Sequence, residues 1–132
     1  MSKPPRLSLR IDFADGRLGP GKIALLEHIE REGSLAGAAR ALGMSYKRAW
    51  ELVGELNELF VEPVVVSTPG RNTGGATALT ALGARVVALY RAAERRAAGA
   101  AEAALVELDG ATRLSGGAHS RPAAHRSPRR RA

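Results

Sequence analysis

The sequence predicts a mainly α-helical chain with a small β component, and three observations support this fold class. Apolar residues recur at helical spacing in four segments. Alternating or β-branched residues, which favour strands, occupy only short stretches. Aromatic residues make up 4% of a chain that is 45% hydrophobic, and alanine supplies much of the apolar count. We therefore expect a small, mostly helical core.

The length of 132 residues suits one domain of ordinary size with a tail, and the charge is distributed accordingly. Residues 1–110 carry 14 basic and 13 acidic side chains, whereas residues 111–132 carry six arginines and no acid. The tail thus accounts for nearly all of the net charge of +7. With a single large apolar residue, it is predicted to be disordered. It is either an arginine arm that attracts phosphate or a solvated extension without a role.

The residue inventory excludes several classes of protein. There is no cysteine, and the three histidines are too scattered for a zinc site, so we expect neither a metal nor a cofactor. Acid pairs, nucleophile–base combinations and phosphate-binding glycine loops are also missing, so no enzyme is predicted. The sequence has no apolar run of about 20 residues and no signal-like N-terminus. We expect a cytoplasmic protein with no membrane partner.

The N-terminal region predicts a strand followed by a helix. Apolar and polar residues alternate over residues 7–13, which is the pattern of a strand with one buried face. The pair Asp15-Gly16 then predicts a turn. A helix of about a dozen residues follows, because apolar residues recur at helical spacing between Pro20 and Gly33.

Two further helices are predicted close together. Ser34 and Ser45 are suitable N-caps for a short second helix and a longer third helix over residues 46–60. Gly43 ends the second helix, so the two helices meet across Gly43-Met44. A connection this short requires a tight, angled crossing.

The remaining elements are a hairpin and a long helix. Pro63 and the three valines after it predict one strand, residues 76–79 predict the other, and the segment between them forms a long polar tip. Thr80 is expected to cap a helix that continues to Leu108. Gly99 is expected to kink or divide this helix, since glycine is unfavourable in a helix interior.

A strand, three helices, a hairpin and a long helix are the element order of a winged helix-turn-helix with a long C-terminal helix. Segment 35–54 fits the helix-turn-helix pattern, with Ala39 as the small residue where the helices approach and Gly43 in the turn. The predicted organisation is a winged helix-turn-helix DNA-binding domain over 1–80, a C-terminal helix for dimerisation over 81–110 and the disordered basic tail over 111–132.

A more specific resemblance is carried by three segments, residues 19–26, 33–39 and 43–50, the last of which contains the string MSYKRAW. Together they resemble the N-terminal DNA-binding domain of ModE-type molybdate-responsive regulators. The resemblance covers roughly residues 7–95 and implies a transcriptional regulator connected with molybdate transport or metabolism. LysR-type regulators, which share the general helix-turn-helix plan, are the more distant alternative.

Two departures from that family limit what the resemblance implies. Full-length regulators of this type continue into small β-barrel domains that bind molybdate or tungstate between subunits. This sequence continues instead into an alanine-rich helix and an arginine tail, so we expect no oxyanion-sensing domain and no small-molecule ligand. The wing segment, residues 68–75, is also less rich in glycine than the usual form of the family.

The phase of the third helix selects the first candidate DNA contacts. At 100° per residue, Lys47 and Glu51 lie nearly opposite the apolar face, with Arg48 and Trp50 beside them. We expect Lys47 and Arg48, in the first turn, to contact base edges or phosphate; the alternative is a solvated charged face. Glutamates further along the helix would be repelled by the DNA backbone, which confines the contact to the first turn.

Other side chains complete the predicted DNA-binding set. Tyr46, at the edge of the apolar stripe, is expected to pack while its hydroxyl reaches phosphate; the alternative is a purely core residue. Trp50 is expected to pack against the wing or the first helix, with a phosphate contact as the alternative. The amides beside the two caps, Ser34 and Ser45, can receive phosphate. At the wing tip, Arg71 and Asn72 suit insertion into a minor groove; the alternative is that the hairpin is a disordered surface loop. Lys22, in the first helix, is a further candidate for a phosphate contact.

The long helix is expected to pair with its symmetry mate. The predicted interface comprises Leu82, Val86, Leu89 and Ala93, and it would give a homodimer on pseudo-palindromic double-stranded DNA. The alternative is that this helix packs only on its own domain. A rival function is a protein-interaction module with a winged-helix fold that binds a separate regulatory or oxyanion-binding subunit, which the near-neutral charge of residues 1–110 favours.

Overall fold

The computed structural model describes residues 3–68 and 76–113. Within these ranges the chain forms four strands and five helices, in the order β1 (Ile11–Phe13), β2 (Gly16–Leu18), α1 (Pro20–Glu32), α2 (Leu35–Leu42), α3 (Tyr46–Leu59), β3 (Val65–Thr68), β4 (Ala76–Leu79), α4 (Ala81–Ala100) and α5 (Glu102–Gly110). The strands form two separate antiparallel hairpins. The predicted class, mainly α-helical with a small β component and a winged-helix-like arrangement, is confirmed.

The chain divides into two compact units. Ser8–Arg95 form one, and residues 3–7 and 96–113 belong to the other. None of the helices in the described ranges combines the length and the apolar character that a bilayer crossing requires. The predicted wing-tip residues Arg71 and Asn72 and nearly all of the predicted tail lie outside the described residues.

The predicted strand at residues 7–13 is shorter than expected and has a partner that was not predicted. It begins only at Ile11 and pairs with β2, so that Ile11 lies opposite Leu18 and Phe13 opposite Gly16. Three residues are too few to give a recognisable period-2 pattern, which explains why β2 was missed. Leu18 is its buried residue.

The boundaries of α1 and α2 follow the sequence signals. Pro20 lies at the start of α1, and Gly33 ends it with φ 75°, while Gly43 ends α2 with φ 69°. Both glycines adopt the left-handed conformation, which is strained for residues with a Cβ atom. Glycines therefore end α1 and α2, as predicted.

A single apolar core holds the elements of the unit Ser8–Arg95 together. Its fully buried large side chains come from α1, α3, α4 and the segment before β3: Ile23, Leu25, Leu26, Ile29, Leu56, Val64 and Tyr90. Small residues of the helix-turn-helix fill the rest of the space, since Ala38, Ala39 and Ala49 are also buried. Alanines at these positions allow α2 and α3 to approach closely.

The predicted long helix is divided, but not at Gly99. The division lies at Ala101, whose φ of −92° and ψ of 0° depart from helical values. Helical hydrogen bonding nevertheless continues across it: the Ala101 amide donates to the Ala97 carbonyl and the Leu105 amide to that of Ala101, both at 2.9 Å. Gly99 itself lies within α4.

Polar contacts join the first part of α4 to the rest of its unit. The buried Tyr90 donates its hydroxyl to the Leu9 carbonyl, and burial raises the pKa of this hydroxyl. Arg91 donates two hydrogen bonds to the Glu27 carboxylate, at 3.0 and 2.7 Å, and one to Glu94 at 2.7 Å. The hydrogen bond from Arg91 is the main cause that lowers the pKa of Glu27. These contacts tie α4 to α1 and to the segment before β1.

Candidate nucleic-acid interface

The helix-turn-helix, α2 and α3, begins each of its helices at a serine cap. The Ser34 hydroxyl accepts from the Gly37 amide and the Ser45 hydroxyl from the Arg48 amide, both at 3.0 Å. The capping role predicted for both serines is therefore confirmed. Beyond Gly43, the Met44 amide donates to the Ala39 carbonyl at 3.0 Å and closes the turn.

The first turn of α3 presents two cations to solvent. The Lys47 side chain is 84% exposed and that of Arg48 is 54% exposed. Glu51, one turn later, lies 3.9 Å from the Lys47 ammonium and 3.6 Å from the Arg48 guanidinium. Ion pairs this long and exposed contribute little to stability. Both cations are thus available to a polyanion, with Glu51 as a local counter-charge.

The aromatic residues of α3 do not pack as predicted. Tyr46 is 57% exposed and Trp50 is 62% exposed, so the fold leaves most of the indole in solvent. Helical phase explains the difference. Trp50 lies on the side of α3 away from the buried Ala49, Leu52 and Leu56.

Lys22 is already engaged within the fold. Its side chain is 13% exposed, its ammonium donates to the Arg17 carbonyl at 2.9 Å, and the Glu55 carboxylate lies 3.2 Å away. A phosphate would have to compete with both groups. Lys22 instead fixes the N-terminal hairpin, β1 and β2, against α3.

A groove of about 780 Å³ runs between this hairpin and α3. The charged residues of its lining are of both signs, with the cations Arg10, Arg17, Lys22 and Arg48 and the acids Asp15, Glu55 and Glu58. The Arg10 guanidinium lies 3.1 Å from the Asp12 carboxylate. Because the lining carries both signs of charge, the groove has no strong preference for an anion.

The wing, β3 and β4, is attached to α3 by Asn57, a residue that the sequence patterns do not single out. The Asn57 side-chain oxygen accepts from the Val64 amide at 2.8 Å and the Val65 amide at 3.1 Å, and its nitrogen donates to the Val65 carbonyl at 3.1 Å. The Thr77 amide adds a bond of 3.0 Å to the Gly33 carbonyl. Nothing in the residues around Asn57, near the end of α3, predicts that its side chain will bond to backbone groups seven and eight residues later.

The base of α4 is joined to the same segment. The Thr80 hydroxyl accepts from the Gly83 amide at 3.0 Å, which confirms the predicted cap, and donates to the Pro63 carbonyl at 2.8 Å. The Thr80 amide donates to the Val64 carbonyl at 3.0 Å. Wing, α3 and α4 therefore share one hydrogen-bonded junction.

The four residues predicted to form a dimer interface are not all exposed. Val86 is buried in the core of its own unit, and Leu82 and Ala93 are partly buried. Leu89 is 59% exposed. The buried face of α4 instead includes Gly83 and Tyr90, so this helix is rotated from its predicted phase and Val86 packs within the chain.

The chain is similar in sequence to proteins whose names refer to molybdenum. It is 46% identical over 94 residues to the molybdenum-pterin-binding protein MopA of Rhodobacter capsulatus, which covers 71% of this chain and 34% of MopA. It is 47% identical over 89 residues to the molybdenum transport protein ModE of Azotobacter vinelandii, covering 67% of this chain and 33% of that protein. The DNA-binding transcriptional dual regulator ModE of Escherichia coli K12 is 40% identical over 78 residues, covering 59% and 28%.

No family model matches the sequence. The chain spans about a third of the length of the curated relatives it matches. At 40–47% identity the similarity is far above chance, and it confirms the resemblance predicted from the helix-turn-helix residues. Over the matched residues, this chain is therefore a relative of the ModE and Mop proteins.

Proposed function

We propose that this chain is a sequence-specific DNA-binding transcriptional regulator of the ModE type, with a role connected to molybdate transport or metabolism. The observation that carries the proposal is the first turn of α3, which exposes Lys47 and Arg48 directly after the Gly43 turn and the Ser45 cap. In this motif the N-terminal residues of the second helix contact base edges in the major groove. The names of the relatives support both the DNA-binding and the molybdenum part.

In the proposed complex the residues divide into two roles. Arg48 reads guanine through two hydrogen bonds to O6 and N7, and Lys47 binds a base edge or a phosphate. The amides beside Ser34 and Ser45 approach the backbone, and Arg71 and Asn72 enter the minor groove from the wing tip. Base reading by Arg48 is thus placed at the start of α3.

The proposed DNA-bound form is a homodimer on two half-sites. Leu89 is an exposed leucine on α4, and Ala93 follows it one turn later. With Val86 committed to the core, a dimer contact on α4 has to use this more exposed side. Sedimentation equilibrium on the chain with a duplex carrying both half-sites measures the stoichiometry, and one chain per duplex would contradict the proposal.

The deciding experiment is fluorescence-anisotropy binding to the DNA upstream of the chain's own gene and to a scrambled duplex, each across a salt series. A regulator is expected to prefer its own sequence by about a thousandfold or more. Equal, steeply salt-dependent binding to both duplexes would indicate phosphate attraction alone.

Replacement of Arg48 by alanine tests the residue that carries the specificity. We expect Arg48→Ala to lose about 1–3 kcal/mol of specific binding and to relax the preference at one base pair, because the guanine contact is removed. The matched control is Arg85→Ala, which removes an exposed cation from α4. It should lower the affinity for both duplexes slightly and equally. Equal losses for both variants would contradict base reading by Arg48.

A protein-interaction module is the second candidate, because acidic residues follow the two cations along α3. Glu51 pairs with both Lys47 and Arg48, and Glu55 and Glu58 extend the negative charge. If α3 binds a separate regulatory or oxyanion-binding subunit, neither duplex should bind, and Arg48→Ala should leave the affinity for that subunit unchanged.

A further inference from the structure

Tyr46, Trp50 and Gly54 form a continuous strip on the outer side of α3, which we call the aromatic flank. The three residues are spaced four apart and therefore lie one above the other on the helix. Both aromatic side chains are more than half exposed, although large apolar side chains normally gain by leaving water. Since the fold does not bury them, their apolar surface is available to a partner.

Gly54 is a second observation that the fold does not explain. It lies in the interior of α3, where glycine is less favourable than alanine, and its φ is not positive. A Cβ atom at this position would meet nothing within 4 Å. Side chains on a helix lean toward its N-terminus, so a larger residue at position 54 would lie over the indole of Trp50. Glycine leaves the indole uncovered.

The charges beside the aromatic flank identify the kind of partner. Lys47 and Arg48, exposed in the same turns of α3, favour a polyanion over a neutral protein surface. In the major groove of duplex DNA, the exposed apolar group is the C5-methyl group of thymine. A flat, uncovered indole on the helix that enters the groove is suited to this methyl group.

We propose that the aromatic flank recognises thymine, with Trp50 in apolar contact with a thymine C5-methyl group in the major groove. The inference rests on the proposed DNA-binding function and deepens it, because it assigns a base and an atom to a side chain predicted to pack inside the fold. Trp50 is then a specificity-determining residue in addition to Arg48, and Gly54 is the residue that leaves room for the base.

The test uses the full chain and a duplex that the chain selects from a random-sequence pool. Each thymine of the selected duplex is replaced in turn by deoxyuracil, which lacks only the methyl group. At one position the wild-type chain is expected to lose about fourfold in affinity, the effect of removing one buried methyl group. For Trp50→Ala, the same replacement should have no effect, since the contact is already gone.

Two further variants separate this contact from a general weakening. Val61→Ala shortens another exposed apolar residue and should respond to deoxyuracil as the wild type does. Gly54→Leu fills empty space and should leave the thermal stability unchanged or higher, yet it should bind the selected duplex more weakly and lose the response to deoxyuracil. A response retained in Trp50→Ala or in Gly54→Leu would overturn the proposal.

The failure of this inference is distinguishable from the failure of the proposed function. If the wild-type chain selects no common sequence, sequence-specific DNA binding fails, and the aromatic flank belongs to a protein contact instead. If a sequence is selected but every thymine tolerates deoxyuracil, only the thymine contact fails. Trp50 is the single tryptophan of the chain, so its fluorescence provides a direct readout. Its emission should shift to shorter wavelength with the selected duplex, and an unchanged spectrum at saturation would contradict the contact.

Discussion

Gly83 determines how closely α4 approaches the segment that leads into the wing. A Cβ atom at this position would lie 2.2 Å from the Val64 carbonyl oxygen and 3.1 Å from its carbon. Backbone atoms cannot move aside as a flexible side chain can. The absence of a side chain at Gly83 is therefore what allows the Val64 carbonyl to accept the hydrogen bond from the Thr80 amide.

We expect Gly83→Ala to destabilise the fold by at least about 2 kcal/mol, because the added methyl group forces α4 away from Val64. Urea denaturation followed by circular dichroism measures the change. Gly99→Ala, in the same helix, is the matched control: nothing lies within 4 Å of its Cβ position, and it should be neutral or stabilising by up to about 1 kcal/mol. Equal stability of the two variants would show that α4 can shift without cost.

At the scale of elements, the wing depends on one side chain of α3. Asn57 satisfies two amides and one carbonyl of Val64 and Val65, at the point where the chain enters β3. An amide group is suited to this role because its oxygen accepts and its nitrogen donates. Loss of these bonds leaves part-buried backbone groups without partners.

We expect Asn57→Ala to lower the free energy of unfolding by about 1–3 kcal/mol and to increase hydrogen exchange at the Val64 and Val65 amides. Asn57→Asp keeps the oxygen that accepts from both amides but sets a carboxylate oxygen against the Val65 carbonyl, so at pH 7 it should also destabilise the wing. NMR-detected exchange on both variants provides the measurement. Wild-type protection of these amides in Asn57→Ala would show that other contacts hold the wing.

Helix boundaries were predictable because their signals are local. Ser34, Ser45 and Thr80 each cap a helix that begins with the next residue, and Gly33 and Gly43 supply the left-handed corners. Each signal depends on residues within one helical turn, so the sequence alone contains it.

The phase of α4 was not predictable in the same way. Its predicted stripe included Leu89, which is exposed, and omitted Tyr90, which is buried. Tyr90 can be buried because its hydroxyl donates a hydrogen bond to the Leu9 carbonyl. The side of α4 that carries Gly83 packs closely against the Val64 backbone. Both causes lie in distant parts of the chain. The exposure of Trp50 was not predictable for a related reason. A large apolar side chain is expected to pack against any neighbouring element, and the sequence does not show how far away that element lies.

At the scale of the whole molecule, the bond between Glu27 and Arg91 makes stability depend on pH. The hydrogen bond from Arg91 lowers the pKa of Glu27 below its ordinary value. The stabilisation is therefore complete above the ordinary glutamate pKa of about 4.3 and is lost as the pH falls through the lower folded value. Both side chains are about one-third exposed, so solvent screening reduces the effect.

We expect Glu27→Gln to lower the free energy of unfolding at pH 7 by on the order of 1 kcal/mol. The difference from the wild type should shrink as the pH falls below the ordinary glutamate pKa and through the lower folded value, because Glu27 then becomes protonated in the folded chain as well. Denaturation midpoints at several pH values measure this. A difference that stays constant down to low pH would assign the effect to packing. Glu30→Gln, an exposed change in the same helix, is the control.

The net charge predicts a second property of the whole chain. Six of the arginines lie in residues 111–132, and residues 1–110 are nearly neutral. Removal of residues 111–132 should weaken binding equally to specific and scrambled duplexes. It should also flatten the salt dependence by about 0.9 for each phosphate that the tail neutralises. Anisotropy titrations across a salt series test this, and an unchanged slope would mean that the tail does not contact DNA.

The contacts at the start of α4 also bear on the order in which the fold forms. Tyr90 and Leu9 are 81 positions apart in the chain, and Arg91 and Glu27 are 64 apart. Closing such loops costs entropy that only the assembled core repays. The neighbouring helices α1, α2 and α3 are therefore expected to associate early, and α4 to dock late. Contacts that form after the rate-limiting step act mainly on the unfolding rate, so Tyr90 and Arg91 would set the lifetime of the folded unit more than its speed of formation.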